Sequence, residues 1–218
     1  MNFDLFADEQ PERRTEILAP GAVVMRGYVW DEADTLLNDI KRVSDSAPFR
    51  HLTTPGGYGM SVAMSNCGPL GWVSDERGYR YDAYDPLSGR PWPEMPPLFH
   101  QLATAAAGEA GFPGFRPDAC LINRYSLGAR LSLHQDKDER DLEQPIVSFS
   151  LGLNAIFLFG GRERSDPCQR VLLSHGDAVV WGGESRLFYH GIQPLKPGPL
   201  PSGMPGEYRF NMTFRKVR

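Results

Sequence analysis

His134 and Asp136 stand two residues apart in LSLHQDKDER (131–140), where an apolar alternation at Leu131 and Leu133 runs into a dense charged stretch. Side chains two apart on a strand share a face, so the pair would offer an imidazole and a carboxylate to one point in space. That is half of a metal site, and it is also how an ordinary charged turn reads. Taken alone the turn is the better reading, and a further ligand from another strand must corroborate the site. The other histidines are His51, His100, His175 and His190. His51 and His100 fall in a loop and a helical stretch, His175 sits in the turn SHGD, and His190 closes the aromatic run RLFYH just before Gly191. This pattern favours His190 over His175 without deciding between them.

The donor set itself has chemical content. Two histidines and one carboxylate leave three positions of an octahedral ion open, the facial arrangement of non-haem Fe(II) sites, whereas zinc is more often held by three histidines or by cysteines. An independent sign comes from YRFNMTFRKV, where a period of two puts Arg209, Asn211, Thr213 and Arg215 on one face and Phe210, Met212 and Phe214 on the other. An ordinary amphipathic strand would leave the polar face in water. At ~3.3 Å per residue, however, the two arginines start ~20 Å apart. Leaning inward, their guanidiniums could grip the two ends of a short dicarboxylate. A dicarboxylate that also chelates iron is 2-oxoglutarate.

These residues need elements to position them. Arg116 onward is nearly all strand and turn: ACLINRYSLGARLSLH, PIVSFSLGLNAIFLFGG, QRVLLSHGDAVVWGG, RLFYHGIQPL and YRFNMTFRKV. Short runs rich in Val, Ile, Phe and Tyr between Gly- and Asp-containing turns predict an antiparallel sandwich or barrel. Before it, APGAVVMRGYVW reads as a short strand pair. DEADTLLNDIKRVSDSAP reads as a helix capped by Asp31 and stopped by Pro48, and PPLFHQLATAAAGEAG as a second helix with Gly111 as its stop and His100 half-buried within it. Both helices precede the strands, so they are expected to buttress one sheet from outside. The segment 46–97, rich in Gly, Pro and aromatics, has the texture of short strands and loops in which binding surfaces are built.

Composition sets the outer bounds. The 218 residues suffice for one well-buried core, and the net charge of −4 argues against a protein that coats nucleic acid with its whole surface, though not against a local basic groove. The opening MNFDLFADEQPERR is acidic where a signal peptide would be basic and then apolar, and no apolar run approaches the ~18 residues of a membrane span, so a cytoplasmic protein is expected. Cys67, Cys120 and Cys168 are far apart and form no Cys-x-x-Cys, which predicts reduced thiols.

The stretches NRYSLGARLSLHQDKDE, VSFSLGLNAIFLFGG, HGDAVVWGGESRLFYHGI and RFNMTFR resemble, in order and spacing, the bacterial AlkB family of Fe(II)/2-oxoglutarate-dependent dioxygenases; TPGGYGMSVAMSNCGPLGW and NDIKRVSDSAPFR extend the likeness toward the N-terminus. The resemblance implies a double-stranded β-helix (jelly-roll) core over 116–218, mainly β with flanking helices. It also implies an N-terminal extension over 1–115 that carries a nucleotide-recognition lid at about 46–97, the two parts forming one compact unit. It implies His134, Asp136 and His190 as iron ligands, so that His190 takes precedence over His175. Arg209 and Arg215 would hold the carboxylates of 2-oxoglutarate, with Asn123, Tyr125 and Asn211 as further contacts. Trp72, Tyr79, Tyr81, Asp138 and Arg164 would touch the substrate. Departures are modest: Arg130 stands where the family has lysine, and the Pro/Gly-rich tail beyond Leu195 has an altered length.

By the same resemblance, Fe(II), 2-oxoglutarate and O2 would serve oxidative demethylation of 1-methyladenine and 3-methylcytosine in single-stranded DNA, extending to double-stranded DNA and RNA, with release of succinate, CO2 and formaldehyde. A monomer is expected. An aromatic platform such as Trp72 and a carboxylate such as Asp138 suit a cationic base. Arg77, Arg80, Arg130, Lys137, Arg162 and Arg164 are candidates for phosphate contacts. One rival keeps the chemistry but acts on a protein side chain or small molecule; another is a jelly-roll binding module without turnover.

Overall fold

A computed structural model describes residues 11–218, so most of the acidic opening lies outside the described residues. Strands Thr15–Ala19 (β1) and Ala22–Met25 (β2) form a hairpin turned at Pro20-Gly21. The strand pair therefore begins earlier than the expected 19–30. Gly21, at φ 75°, supplies the left-handed residue of the turn, and residues 26–32 are turn and bend rather than strand. Helix Ala33–Ser46 (α1) buries Leu36, Ile40 and Val43 as their spacing requires. Its N-cap is Glu32, not Asp31: the Asp31 carboxylate instead pairs with Arg13 at 2.7 Å.

The Gly/Pro/aromatic segment divides into two parts. Arg50–Thr53 (β3) and Gly59–Cys67 (β4) extend the main sheet, whereas Gly71–Asp75 (β5) and Gly78–Asp82 (β6) form a separate two-stranded hairpin. Within 46–97, therefore, only β5 and β6 stand outside the main sheet as strands of their own. Gly71 marks where the hairpin leaves the body, because a Cβ there would fall 2.4 Å from the Trp92 ring. Helix Pro97–Glu109 (α2) starts on its proline and is followed by Gly111 at φ 92°. His100, on this helix, is exposed rather than half-buried.

Eight further strands complete the chain: Ala119–Tyr125 (β7), Leu131–His134 (β8), Ile146–Gly152 (β9), Ala155–Phe159 (β10), Gln169–Leu173 (β11), Ala178–Trp181 (β12), His190–Ile192 (β13) and Arg209–Arg215 (β14). They are divided between two antiparallel sheets. The larger runs β1-β2-β12-β9-β14-β7-β4-β3, and the smaller β11-β10-β13-β8. Counting β7 as first, the larger sheet holds strands one, eight, three and six at its centre and the smaller holds two, seven, four and five, which is jelly-roll topology. The larger sheet runs without a break through the expected boundary at 115, since β4 pairs with β7.

The alternation along β14 explains the layers. Phe210, Met212 and Phe214 join Phe149, Ile122 and Val147 in a core that both helices cover from outside, packing Leu36, Ile40, Phe99 and Ala103 onto the sheet. A second core between the sheets gathers Tyr125, Phe157, Phe159, Trp181 and Ile192. The polar face of β14 is turned inward, so all four of Arg209, Asn211, Thr213 and Arg215 are buried. Cys67 and Cys120, distant in sequence, are cross-strand partners on β4 and β7; all three cysteines are free thiols. Among the described residues no helix is long and apolar enough to cross a membrane.

Candidate active site

The site lies between the sheets, and each wall has its own chemistry. On the smaller sheet, His134 ends β8 and His190 opens β13, the reverse of its expected place at the end of a strand; Arg186–Tyr189 form a connection after a short 3-10 turn. The two histidines are cross-strand partners with ring centroids 4.3 Å apart. Gly191 permits this, because a Cβ there would lie 2.6 Å from the Leu131 carbonyl oxygen. Just past the end of β8, Asp136 brings Oδ1 to 3.8 Å from His134 Nε2 and Oδ2 to 3.9 Å from His190 Nε2. The ligand atoms of all three lie within 4.8 Å of one another, close enough to converge on one ion.

The protonation pattern suits a metal. His134 Nδ1 lies 2.9 Å from the Ser132 carbonyl and His190 Nδ1 3.0 Å from that of Phe188. A carbonyl only accepts, so both Nδ1 atoms carry a proton, and both Nε2 atoms face Asp136. Burial, reinforced by His134, pushes His190 down to about 3 and keeps it neutral. Burial alone would raise Asp136, but the Arg215 guanidinium outweighs it and holds the carboxyl well below the usual range. His175 is elsewhere, in the β11–β12 turn, where Nδ1 accepts the Gly152 N–H at 3.0 Å and the ring meets Trp30 edge-on.

On the larger sheet, Asn123 and Tyr125 of β7 stand opposite Asn211 and Arg209 of β14. The Asn123 amide donates to Asn211 Oδ1 at 3.1 Å, and Asn211 in turn donates to the Ser148 hydroxyl at 2.7 Å. Arg209 donates to the Ser150 hydroxyl at 2.9 Å and lies 5.1 Å from the Tyr125 ring, neither of them an anion. Five polar atoms of this wall are buried without a hydrogen-bond partner: Asn123 Oδ1, the Tyr125 hydroxyl, Arg209 Nε and Nη1, and Arg215 Nη1. Leaving one such group unpaired costs roughly 1–3 kcal/mol, so a cluster of them signals a ligand surface. Buried Arg186, Arg209 and Arg215 also outnumber buried Asp136 and Glu139. A small dianion fits both the donors and the charge.

The β5–β6 hairpin supplies a third wall. Trp72 and Tyr79 stack at 5.6 Å and 15°, and Tyr79 is 49% exposed. The Trp72 indole donates to Asp138 at 3.0 Å. β8 ends at His134, so Asp138 comes to the site on a loop and not by continued strand alternation. Arg164 donates to the Leu133 carbonyl at 2.7 Å and lies over Tyr189, beside β8. Of the candidate phosphate contacts, Arg77 and Arg80 are tied to Asp75, whereas Arg130, Lys137 and Arg162 are exposed.

Two residues of the site escape sequence reasoning. Buried Glu139 accepts from the Tyr81 hydroxyl at 2.5 Å and from Arg186 at 2.9 Å, and Arg186 also donates to the Asp136 carbonyl at 2.5 Å. In the run DKDER, Glu139 carries no pattern that separates it from solvated neighbours.

Comparison with known proteins agrees with this geometry. The model of the 2OG-Fe(II) oxygenase superfamily matches residues 21–215. The chain is 62% identical to "Alpha-ketoglutarate-dependent dioxygenase AlkB" of Salmonella typhimurium and 59% identical to that of Escherichia coli K12, in each case over 98% of this chain and 97% of the relative. A solved structure described as "The structure of OsALKBH1" superposes with a TM-score of 0.81 at 28% identity, covering 93% of this chain and all of that one. A His-Asp-His cluster between the sheets, with two buried arginines on β14, on a jelly roll matched over nearly its full length, places the chain in the 2OG-Fe(II) oxygenase superfamily, within its AlkB family.

Proposed function

We propose that the protein repairs N-alkylated bases, 1-methyladenine and 3-methylcytosine, in single-stranded DNA, and that it also accepts double-stranded DNA and RNA. The observation that carries the reading is the wall of unpaired buried donors facing the His134–Asp136–His190 cluster beneath an aromatic hairpin. In this reading the three residues hold Fe(II) through His134 Nε2, His190 Nε2 and the Asp136 carboxylate. Arg209 and Arg215 each take one carboxylate of 2-oxoglutarate through their unpaired nitrogens, and Asn123, Tyr125 and Asn211 complete its surroundings. Iron with 2-oxoglutarate and O2 supplies the oxidising chemistry that hydroxylates the N-alkyl carbon while 2-oxoglutarate becomes succinate and CO2.

The chain's part is to place the carbon and exclude water. The methylated bases are cationic, which suits stacking on Trp72 and Tyr79 and the nearby Asp138 carboxylate. Tyr81 and Arg164 flank this position. The alkylated nitrogen lies on the pairing edge, so the base is flipped out or comes from a single strand. Trp181 and Phe157, with centroids 4.9 and 6.0 Å from that of His190, make the inner end of the cleft apolar. The hydroxylated carbon then leaves as formaldehyde. The protein acts as a monomer in the cytoplasm, and β5–β6 is the lid.

The test is succinate formation with oligonucleotides as the variable. Oligonucleotides carrying 1-methyladenine should stimulate it well above unmodified ones. Equal rates with both, together with stimulation by a protein or small molecule, would replace this substrate assignment with a different one on the same chemistry.

A further inference from the structure

The ion network behind Asp136 has more parts than metal and cosubstrate binding require. Arg215 divides its nitrogens: Nη2 and Nε donate to Asp136 Oδ2 at 2.9 and 3.1 Å, Nε also lies 3.4 Å from Glu139 Oε1, and Nη1 has no partner. Arg186 leaves no nitrogen over. Its Nε donates to the Gln144 carbonyl at 2.8 Å, Nη1 to the Asp136 carbonyl at 2.5 Å and Nη2 to Glu139 Oε2 at 2.9 Å. Arg186 therefore has nothing to offer a ligand, yet it is 2% exposed and fastens the 136–144 segment at three points. Glu139 joins this fastening to the lid through Tyr81, which is the cross-strand partner of Trp72.

We propose that Glu139 and Arg186 are positioning residues: Arg186 holds Glu139, and Glu139 fixes the rotation of the Arg215 fork so that Nη1 is aimed at the cosubstrate carboxylate. The inference rests on the cosubstrate assignment given above. Geometry makes the case. A guanidinium held by Asp136 alone can pivot about that single carboxylate oxygen, whereas a second carboxylate on its Nε edge removes the freedom. Replacing Arg186 by lysine keeps the charge but cannot span Gln144, Asp136 and Glu139 at once. Glu139→Gln and Arg186→Lys therefore act on cosubstrate binding through Arg215 without removing any group that touches iron or 2-oxoglutarate.

The experiment is an anaerobic titration of 2-oxoglutarate into protein loaded with Mn(II), read by tryptophan fluorescence, alongside steady-state kinetics with Fe(II). Glu139→Gln should weaken 2-oxoglutarate binding by about tenfold or more while kcat at saturating 2-oxoglutarate stays within about threefold of wild type. Arg186→Lys should shift binding in the same direction by a smaller factor, and Glu143→Gln, at an exposed acid of the same segment, should shift nothing. A merely structural role would lower melting temperature and active fraction without this split. If Glu139→Gln does not fold, Arg186→Lys decides. A 2-oxoglutarate Kd within about twofold of wild type in the folded variants overturns the positioning role. Failure of wild type to bind 2-oxoglutarate would instead overturn the functional reading, and this inference with it.

Discussion

The Nδ1–H groups of His134 and His190 are each committed to a carbonyl two residues earlier, while Arg215 holds Asp136 ionised and burial keeps His190 neutral. Asp136→Ala should reduce formaldehyde release to background while circular dichroism stays native. Because Arg215 would lose its main partner, the variant should also lose about 3–5 kcal/mol of stability in denaturant titration. Arg209→Lys keeps a charge but not the planar fork, so the KM for 2-oxoglutarate should rise about tenfold or more with little change in kcat at saturation. At this scale the sequence was legible wherever a period of two applied. His134 and Asp136 converge although Asp136 lies just past the end of β8, and Arg209 through Arg215 could be placed on one face by counting. Glu139 and Arg186 could not, because their burial is set by partners far away in the chain and not by any spacing of their own.

Among the elements, the β5–β6 hairpin is the one that stands apart, paired with neither large sheet. Its Trp72–Tyr79 stack is a diagonal cross-strand pair, Trp72 standing opposite Tyr81 and Tyr79 opposite Ser74. Base–aromatic stacking is worth roughly 1–3 kcal/mol, so Trp72→Ala should weaken a methylated oligonucleotide between about fivefold and a hundredfold in fluorescence polarisation. The helices and β14 were readable because apolar spacing over several turns or pleats is a strong signal. The 46–97 segment was not: its glycines and prolines hide the period, and β4 joins the main sheet through pairing with β7, a long-range choice. The strand start at His190 was likewise hidden, since its place depends on how closely Gly191 approaches β8.

Over the whole molecule, one sheet serves two cores, with helices on its outer face and the site within. Phe149, fully buried and 5.1 Å from Phe214, belongs to the outer core, so Phe149→Ala should cost about 3–5 kcal/mol in urea unfolding. The segment after the β5–β6 hairpin is tied back to the main sheet by Arg50, which grips Asp85 with two bonds of 2.6 and 2.8 Å. Burial would raise the Asp85 carboxyl, but the Arg50 hydrogen bonds prevail and lower it from 3.8 to about 2. Its folded value is the lower one, so the stabilisation is complete above the unfolded value and fades as pH falls from 3.8 toward 2. Melting curves of Asp85→Asn should accordingly be flatter through that acid range than those of wild type.

The most direct test of the central claim is the formaldehyde released from a 1-methyladenine oligonucleotide in the presence of Fe(II), 2-oxoglutarate and air, measured with succinate in the same reaction. Equal amounts of formaldehyde and succinate from the wild-type protein, and neither from Asp136→Ala, are the predicted result. Wild-type protein that binds 2-oxoglutarate yet releases no formaldehyde, or an Asp136→Ala variant that still releases it, would contradict the account.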